Sequence, residues 1–399
     1  MYCRVCDNKI DPFMSFGKMP IANGFLKKEQ FENEYFFELA TAFCDRCCSV
    51  QLVTQPDPKL MFHDNYAFFS KTSKSMQVHF QKYADWVLNN YLKKEDSFVV
   101  ELGSNDGILL ENFSKKKIRH LGVEPSANVA DVAIKSGINT EVAFFNNDFA
   151  KKIKEKNGKA DAILAANVMC HIPDLIEIGK ASKTLLKEDG VLIFEDPYLG
   201  DMINKVSYDQ IYDEHVFIFS ALSVKNIFDI SGFELIDVLP QETHGGSMRY
   251  VLCKKGIRSI SENVINTIKV EKELGLDKSL TYERFKNNCE HSRDKIISKL
   301  KKFKKEGKKI VGYGATSKST TILNYCNIGP DLIDFISDTT PIKQNKYTPG
   351  MHIPVKPYED FLKYSPEIAV LFAWNHRKEI ENKENKFIEN GGKFISHIS

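Results

Sequence analysis

The chain has 399 residues, with 55 lysines and arginines against 53 aspartates and glutamates and a formal charge of +2. That length exceeds one ordinary core, so two large domains and a small accessory module are expected, and the charge balance removes any whole-chain electrostatic case for nucleic acid or anionic lipid as main partner. The N-terminus, Met1-Tyr2-Cys3-Arg4-Val5-Cys6, lacks the charged start and apolar run of a secretory signal, and no apolar stretch approaches the roughly 18 to 20 residues that span a bilayer, so a cytoplasmic protein without a membrane partner is expected.

Nine cysteines, an odd number in a long chain, argue for thiols kept reduced, some of them on metal. The segment to about Pro56 is dense in Cys, Gly, Pro and Phe and poor in helical periodicity, which predicts a small loop-rich module. Within it, Cys3-x-x-Cys6 and Cys44-x-x-Cys47 each present two thiolates to one ion at about 2.3 Å, and four sulfurs close a tetrahedral shell with no open position. The expectation is structural zinc, without which so small a module would not readily fold. Cys48 is an alternative to Cys47, and the pairs taken alone would equally suit a nucleic-acid-binding zinc ribbon, although no basic cluster accompanies them.

From Lys74 to Leu92 the spacing of Met76, Phe80, Tyr83, Ala84, Val87, Leu88 and Tyr91 predicts a helix. Strand-like runs follow at Ser97 to Leu102, His120 to Val123, Ala160 to Ala166 and Gly190 to Glu195, alternating with helical patterns, which predicts a parallel sheet wound on both faces. A hairpin is expected from Phe233 to Leu239 and Ser247 to Cys253, then charged helices bridging two domains from about Ser259 to Lys309. A second strand-turn-helix signal begins at Lys309-Ile310-Val311-Gly312-Tyr313-Gly314, with strand patterns at Asp331 to Ser337 and Pro366 to Trp374. The expected division is a zinc-binding module over 1–72, a cofactor-binding domain over 73–255, a helical bridge over 256–308 and a Rossmann-like domain over 309–399.

The run Val99-Val100-Glu101-Leu102-Gly103-Ser104-Asn105-Asp106-Gly107 puts a buried strand, an acid, a glycine turn and a helix start in succession. Glycines let the backbone approach a ligand, and a helix N-terminus offers unpaired N–H groups. Glu124, in Gly122-Val123-Glu124-Pro125, ends the next strand and is placed to accept hydrogen bonds from two ribose hydroxyls. This reads as a nucleoside cofactor held by Glu101, Gly103, Asn105, Gly107 and Glu124. Asn105 stands where a dinucleotide fingerprint wants its middle glycine, which resembles class I methyltransferases better than dehydrogenases. Asn167 to Asp174 lies at the end of the fourth predicted strand, where ligands gather in open α/β sheets, and puts Asn167 with the cofactor and His171 near the chemistry.

Tyr208-Asp209-Gln210-Ile211-Tyr212-Asp213-Glu214-His215 packs phenol, carboxylate and imidazole together; by spacing alone an exposed polar loop fits as well. The order of motifs is more informative. The cysteine pairs, Glu101-Leu-Gly-Ser-Asn-Asp-Gly107, Gly122-Val-Glu-Pro125, Phe194-Glu-Asp-Pro-Tyr198, Tyr212-Asp-Glu-His215, His244-Gly-Gly-Ser247 with Arg249, and Gly312-Tyr-Gly-Ala-Thr-Ser-Lys318 together resemble the sugar C-methyltransferase family over nearly the whole chain. The resemblance implies a class I methyltransferase-type doubly wound sheet between the zinc module and a Rossmann-like domain, S-adenosylmethionine as cofactor, and a nucleotide-linked 4-keto-deoxysugar as substrate. It implies His215 as the base that deprotonates the carbon beside the ketone, Glu214 and Tyr212 as residues that orient it and contact the sugar, and Tyr66 and His171 as further active-site positions. His244, Arg249 and Lys318 would serve the substrate, Lys318 by holding its phosphates, and a monomer is implied. Competing readings are an O- or N-methyltransferase on a related sugar, a zinc-ribbon nucleic-acid-binding protein, and an oxidoreductase using nicotinamide at the Gly312 turn.

Overall fold

A computed structural model describes residues 1–57, 61, 71, 74–92 and 96–398. The N-terminal segment is built of strands rather than loops. β1 (Pro12–Pro20), β2 (Phe36–Phe43) and β3 (Val50–Leu52) form an antiparallel sheet whose fourth strand, β9 (Phe217–Ile218), comes from far along the chain. Met14, Phe16 and Met19 on β1 and Leu39 and Phe43 on β2 are buried, so a few aromatic and sulfur-bearing residues make a sheet face that the lack of helical periodicity did not reveal.

Helix α1 (Lys74–Tyr91) leads into the central sheet of β4 (Phe98–Leu102), β5 (Arg119–Val123), β6 (Thr140–Glu141), β7 (Ala160–Ala166), β8 (Leu186–Pro197), β10 (Phe233–Gln241) and β11 (Ser247–Lys254). Their order is β10-β11-β8-β7-β4-β5-β6, with β6, β5, β4, β7 and β8 parallel and β11 inserted antiparallel between β8 and β10. β4 is buried along its whole length, as a strand covered by helices on both faces must be. The reversal of strand order beside β4 makes a crevice at the C-terminal strand ends, where such sheets bind ligands.

The charged bridge contains α2 (Ser279–Lys305), which buries Tyr282, Phe285, Cys289, Ile296 and Leu300 on one stripe. These residues share one apolar core with β1, β2 and the last sheet, so the helix is part of a continuous interior rather than a spacer. That last sheet comprises β12 (Ile310–Tyr313), β13 (Ile336–Ser337), β14 (Val355–Lys356), β15 (Ile368–Leu371) and β16 (Lys393–Ile395), all parallel in the order β14-β13-β12-β15-β16. Helix α3 (Ser317–Tyr325) follows β12. Among the described residues no helix is long and apolar enough to cross a membrane.

Candidate active site

The cysteine pairs converge. Cys3 Sγ lies 3.6 Å from Cys47 Sγ and Cys6 Sγ 3.5 Å from Cys44 Sγ, with all four sulfurs within 4.8 Å of one another. Tetrahedral zinc with bonds of about 2.3 Å sets its sulfurs about 3.8 Å apart, so the four residues fit a closed structural site. Val5 N–H and the Gln51 side-chain amide donate to Cys3 Sγ at 3.4 and 3.1 Å, partners suited to a thiolate. Cys48, held at φ 59°, belongs instead to the apolar core shared with α2.

A cavity of about 320 Å³ opens over the C-terminal ends of β5, β4, β7 and β8. Gly103, Asn105, Glu124, Asn167, His171 and His244 line it. Glu124 is clamped by backbone: one carboxylate oxygen accepts from Asn105 N–H at 2.9 Å and the other from Ser126 N–H at 2.8 Å, leaving each a lone pair for a ligand. At Gly103, with φ +62°, an added Cβ would stand 2.4 Å from a Val168 methyl, so no side chain fits where the backbone meets the cavity. Asn105, Asn167 and His244 also adopt left-handed φ values of 49°, 56° and 56°; such conformations are uncommon outside glycine and tend to gather at functional sites. A glycine cradle and an acid at the end of the next strand fit S-adenosylmethionine.

Other sequence-derived candidates sit elsewhere. Glu101 and Gly107 do not line the cavity. Glu101 is buried beneath the turn, where burial pushes its carboxyl well above the usual range, and a Cβ on Gly107 would press on Ala133 and Ile138, so its demand is packing. Arg249 is also away from the wall: it pairs with Glu195 and lies between the Tyr83 and Trp86 rings, 4.0 and 4.6 Å from their centres. Lys318 Nζ donates to the His244 carbonyl at 3.0 Å, supporting the strained residue that does line the cavity. Tyr66 lies outside the described residues.

His215 stands one layer behind the wall, its ring stacked at 5.3 Å on that of His171. Its Nδ1 is 2.7 Å from the Gln210 carbonyl and its Nε2 2.8 Å from the Tyr212 hydroxyl. A carbonyl oxygen only accepts, so Nδ1 carries the hydrogen; burial and the neighbouring His171 push the basicity of the ring well below normal, leaving a lone pair on Nε2 toward Tyr212. Both ring nitrogens thus have partners, and Cys170 and His171 offer ligand atoms within 4.8 Å of those of His215. The ring is oriented by Gln210 and Tyr212 rather than by Glu214, whose Oε1 accepts from Asn23 at 2.7 Å. Asn23 in turn accepts from Ser317 at 3.0 Å, tying the His215 loop, the N-terminal module and α3 together.

Sequence reasoning missed Gln210 and Asn23, which act by backbone and by long-range contact, and also His79 and Glu195, which face the cavity and lie 2.6 Å apart. A polar residue one position from an apolar helical stripe was the available signal for His79.

Comparison with known proteins finds three families matched along the chain. Residues 3–62 match the family described as "Putative zinc binding domain", residues 76–238 the family "Methyltransferase domain", and residues 242–399 the family "C-methyltransferase C-terminal domain". The chain is 32% identical over 400 residues to the C-methyltransferase NovU of Streptomyces niveus, covering 99% of this chain and 95% of that protein. Solved structures of an S-adenosylmethionine-dependent methyltransferase from Clostridium acetobutylicum and of the magnesium protoporphyrin IX methyltransferase of Synechocystis align with it at 16% and 12% identity. They cover 44% and 45% of this chain and 92% and 79% of their own, each with a TM-score of 0.35. The chain therefore belongs to the C-methyltransferase family, as an S-adenosylmethionine-dependent methyltransferase with an N-terminal structural zinc module.

Proposed function

We propose that the enzyme methylates a carbon of a nucleotide-linked 4-keto-deoxysugar, with His215 as the base that removes the proton beside the ketone. The observation that carries this reading is the state of His215. Its Nδ1 hydrogen is committed to the Gln210 carbonyl, and burial keeps the ring neutral, so the lone pair on Nε2 is available when the acceptor displaces the Tyr212 hydroxyl. Glu124 accepts the ribose hydroxyls of the cofactor, and the bare backbone at Gly103 admits its amino-acid end. Bound S-adenosylmethionine supplies an electrophilic methyl on a positively charged sulfur. His171 lines the cavity and stacks on the ring of His215.

The family names speak for C-methylation, and the ketone is the chemical reason a carbon can be methylated at all, because it acidifies the neighbouring C–H. The decisive assay is mass spectrometry with S-adenosylmethionine and a panel of nucleoside-diphosphate-linked 4-keto-deoxysugars. The expected product is heavier by one methyl, and the methyl resists acid and base cleavage. A cleavable methyl would mean transfer to oxygen or nitrogen. His215→Asn is expected to keep cofactor affinity and lose about two to four orders of magnitude in turnover; loss of cofactor binding would misplace the residue.

A further inference from the structure

His79 and Glu195 stand apart from the machinery named so far, yet both face the cavity. Glu195 lies near the end of β8, three strands across from Glu124 just after β5, or about 14 Å at about 4.8 Å per strand. Glu124 marks the ribose end, so Glu195 marks the end where methyl donor and acceptor meet. His79 Nε2 lies 2.6 Å from Glu195 Oε2, while Glu195 Oε1 takes Arg249, its direct cross-strand neighbour on β11. Tyr83 and Trp86, four and seven residues beyond His79 on α1, hold the guanidinium between them. The carboxylate is thereby fixed on both oxygens, and it accepts the His79 Nε2 hydrogen. Nδ1 is the atom left for a ligand.

We propose that His79, held by Glu195, is a general acid of the reaction: it protonates the ketone oxygen of the acceptor while His215 takes the proton from the adjacent carbon. The proposal rests on the carbon-methylation reading above. The two imidazoles are equipped for opposite tasks. His215 has a backbone carbonyl and a phenol as partners and is buried, which disfavours charge; burial likewise lowers His171 to about 4 and His244 to about 3. His79 is paired with a carboxylate, which compensates an imidazolium.

In the step, the C–H bond breaks and its proton goes to His215 Nε2. The C–H electron pair forms the C=C bond, the C=O π pair goes to oxygen, and oxygen takes the His79 Nδ1 proton, giving a neutral enol. When the carbon bonds to the methyl, the pair that held the methyl stays on the cofactor sulfur. The enol O–H bond then breaks, returning the proton to His79 and regenerating the ketone. One proton, on His215, remains to be released.

The test measures deuterium wash-in from deuterated water into the carbon beside the ketone, without cofactor, on the panel sugar that the unmodified enzyme methylates. Cofactor affinity and turnover are followed in parallel. In His79→Gln and Glu195→Gln, wash-in and methyl transfer are expected to fall together by about 100-fold or more, with cofactor affinity unchanged within about threefold. Normal wash-in with weakened cofactor binding would overturn the proposal and make the pair a cofactor clamp. Normal values of both would make it structural. If Glu195→Gln fails to fold because Arg249 loses its partner, His79→Gln decides alone. Absence of wash-in in the unmodified enzyme would instead sink the carbon-methylation reading itself.

Discussion

The chain builds the same local device twice. After β4, one oxygen of Glu124 accepts from Asn105 N–H and the other from Ser126 N–H, at 2.9 and 2.8 Å. After β12, the two oxygens of Asp338 accept from Ala315 and Thr340 N–H, each at 2.7 Å. Both are strand, glycine turn, helix and an acid after the neighbouring strand. The first opens into the 320 Å³ cavity. At the second, Lys343 Nζ donates to the Ala315 carbonyl at 2.9 Å, and Lys318, from the first turn of α3, reaches the His244 carbonyl. In both, the turn chemistry makes a backbone clamp for a carboxylate, built from N–H groups on either side of the acid.

Replacing the two turn glycines separates the devices most sharply. Gly103→Ala would force a Cβ against Val168 at positive φ, and cofactor affinity is expected to fall by more than about 100-fold, read by calorimetry. Gly314→Ala, at φ +88° with Ala373 at 3.1 Å, is expected to lower the melting temperature while cofactor affinity holds. Equal loss of cofactor by both would break the comparison. The acids give a smaller effect: Glu124→Gln should weaken the cofactor by about 1.5–3 kcal/mol, the worth of hydrogen bonds to a charged group. Asp338→Asn should leave that affinity unchanged and cost only stability, measured by urea unfolding.

A further effect is in pH. Burial depresses His171 to about 4, so the unfolded chain takes up a proton near 6.5 that the folded chain refuses until about 4. The stability contributed by the neutral ring is present above pH 6.5 and lost as pH falls through that window, about 2.5 kcal/mol by pH 4.5. His171→Gln should flatten this part of the urea-unfolding profile between pH 7 and 4.5; an unchanged slope would place the acid sensitivity outside the first device.

Much of the site was legible because some chemistry is local. Two cysteine knuckles specify a metal by spacing, and a strand that ends in glycine beside an acid specifies a clamp. The N-terminal strands were not legible, because their apolar residues pack against α2 and the last sheet, a face supplied by residues far along the chain. Arg249 shows the same gap at a site. Its place in a conspicuous motif pointed to substrate, whereas its cross-strand pairing with Glu195 and its two aromatic neighbours on α1 make it a support.

The amino-acid sequence by itself determined the two cysteine pairs, the parallel sheet, the glycine turn with its acid at Glu124 and the family, since these rest on spacing along a few residues or on motif order. Tertiary structure alone decided that the Gln210 carbonyl orients His215, that His79 meets Glu195 across 116 positions of sequence, and that Glu124 lines a cavity. The physical reason is that a side chain's protonation state and reach depend on burial and on partners brought in by other elements, which no local spacing encodes.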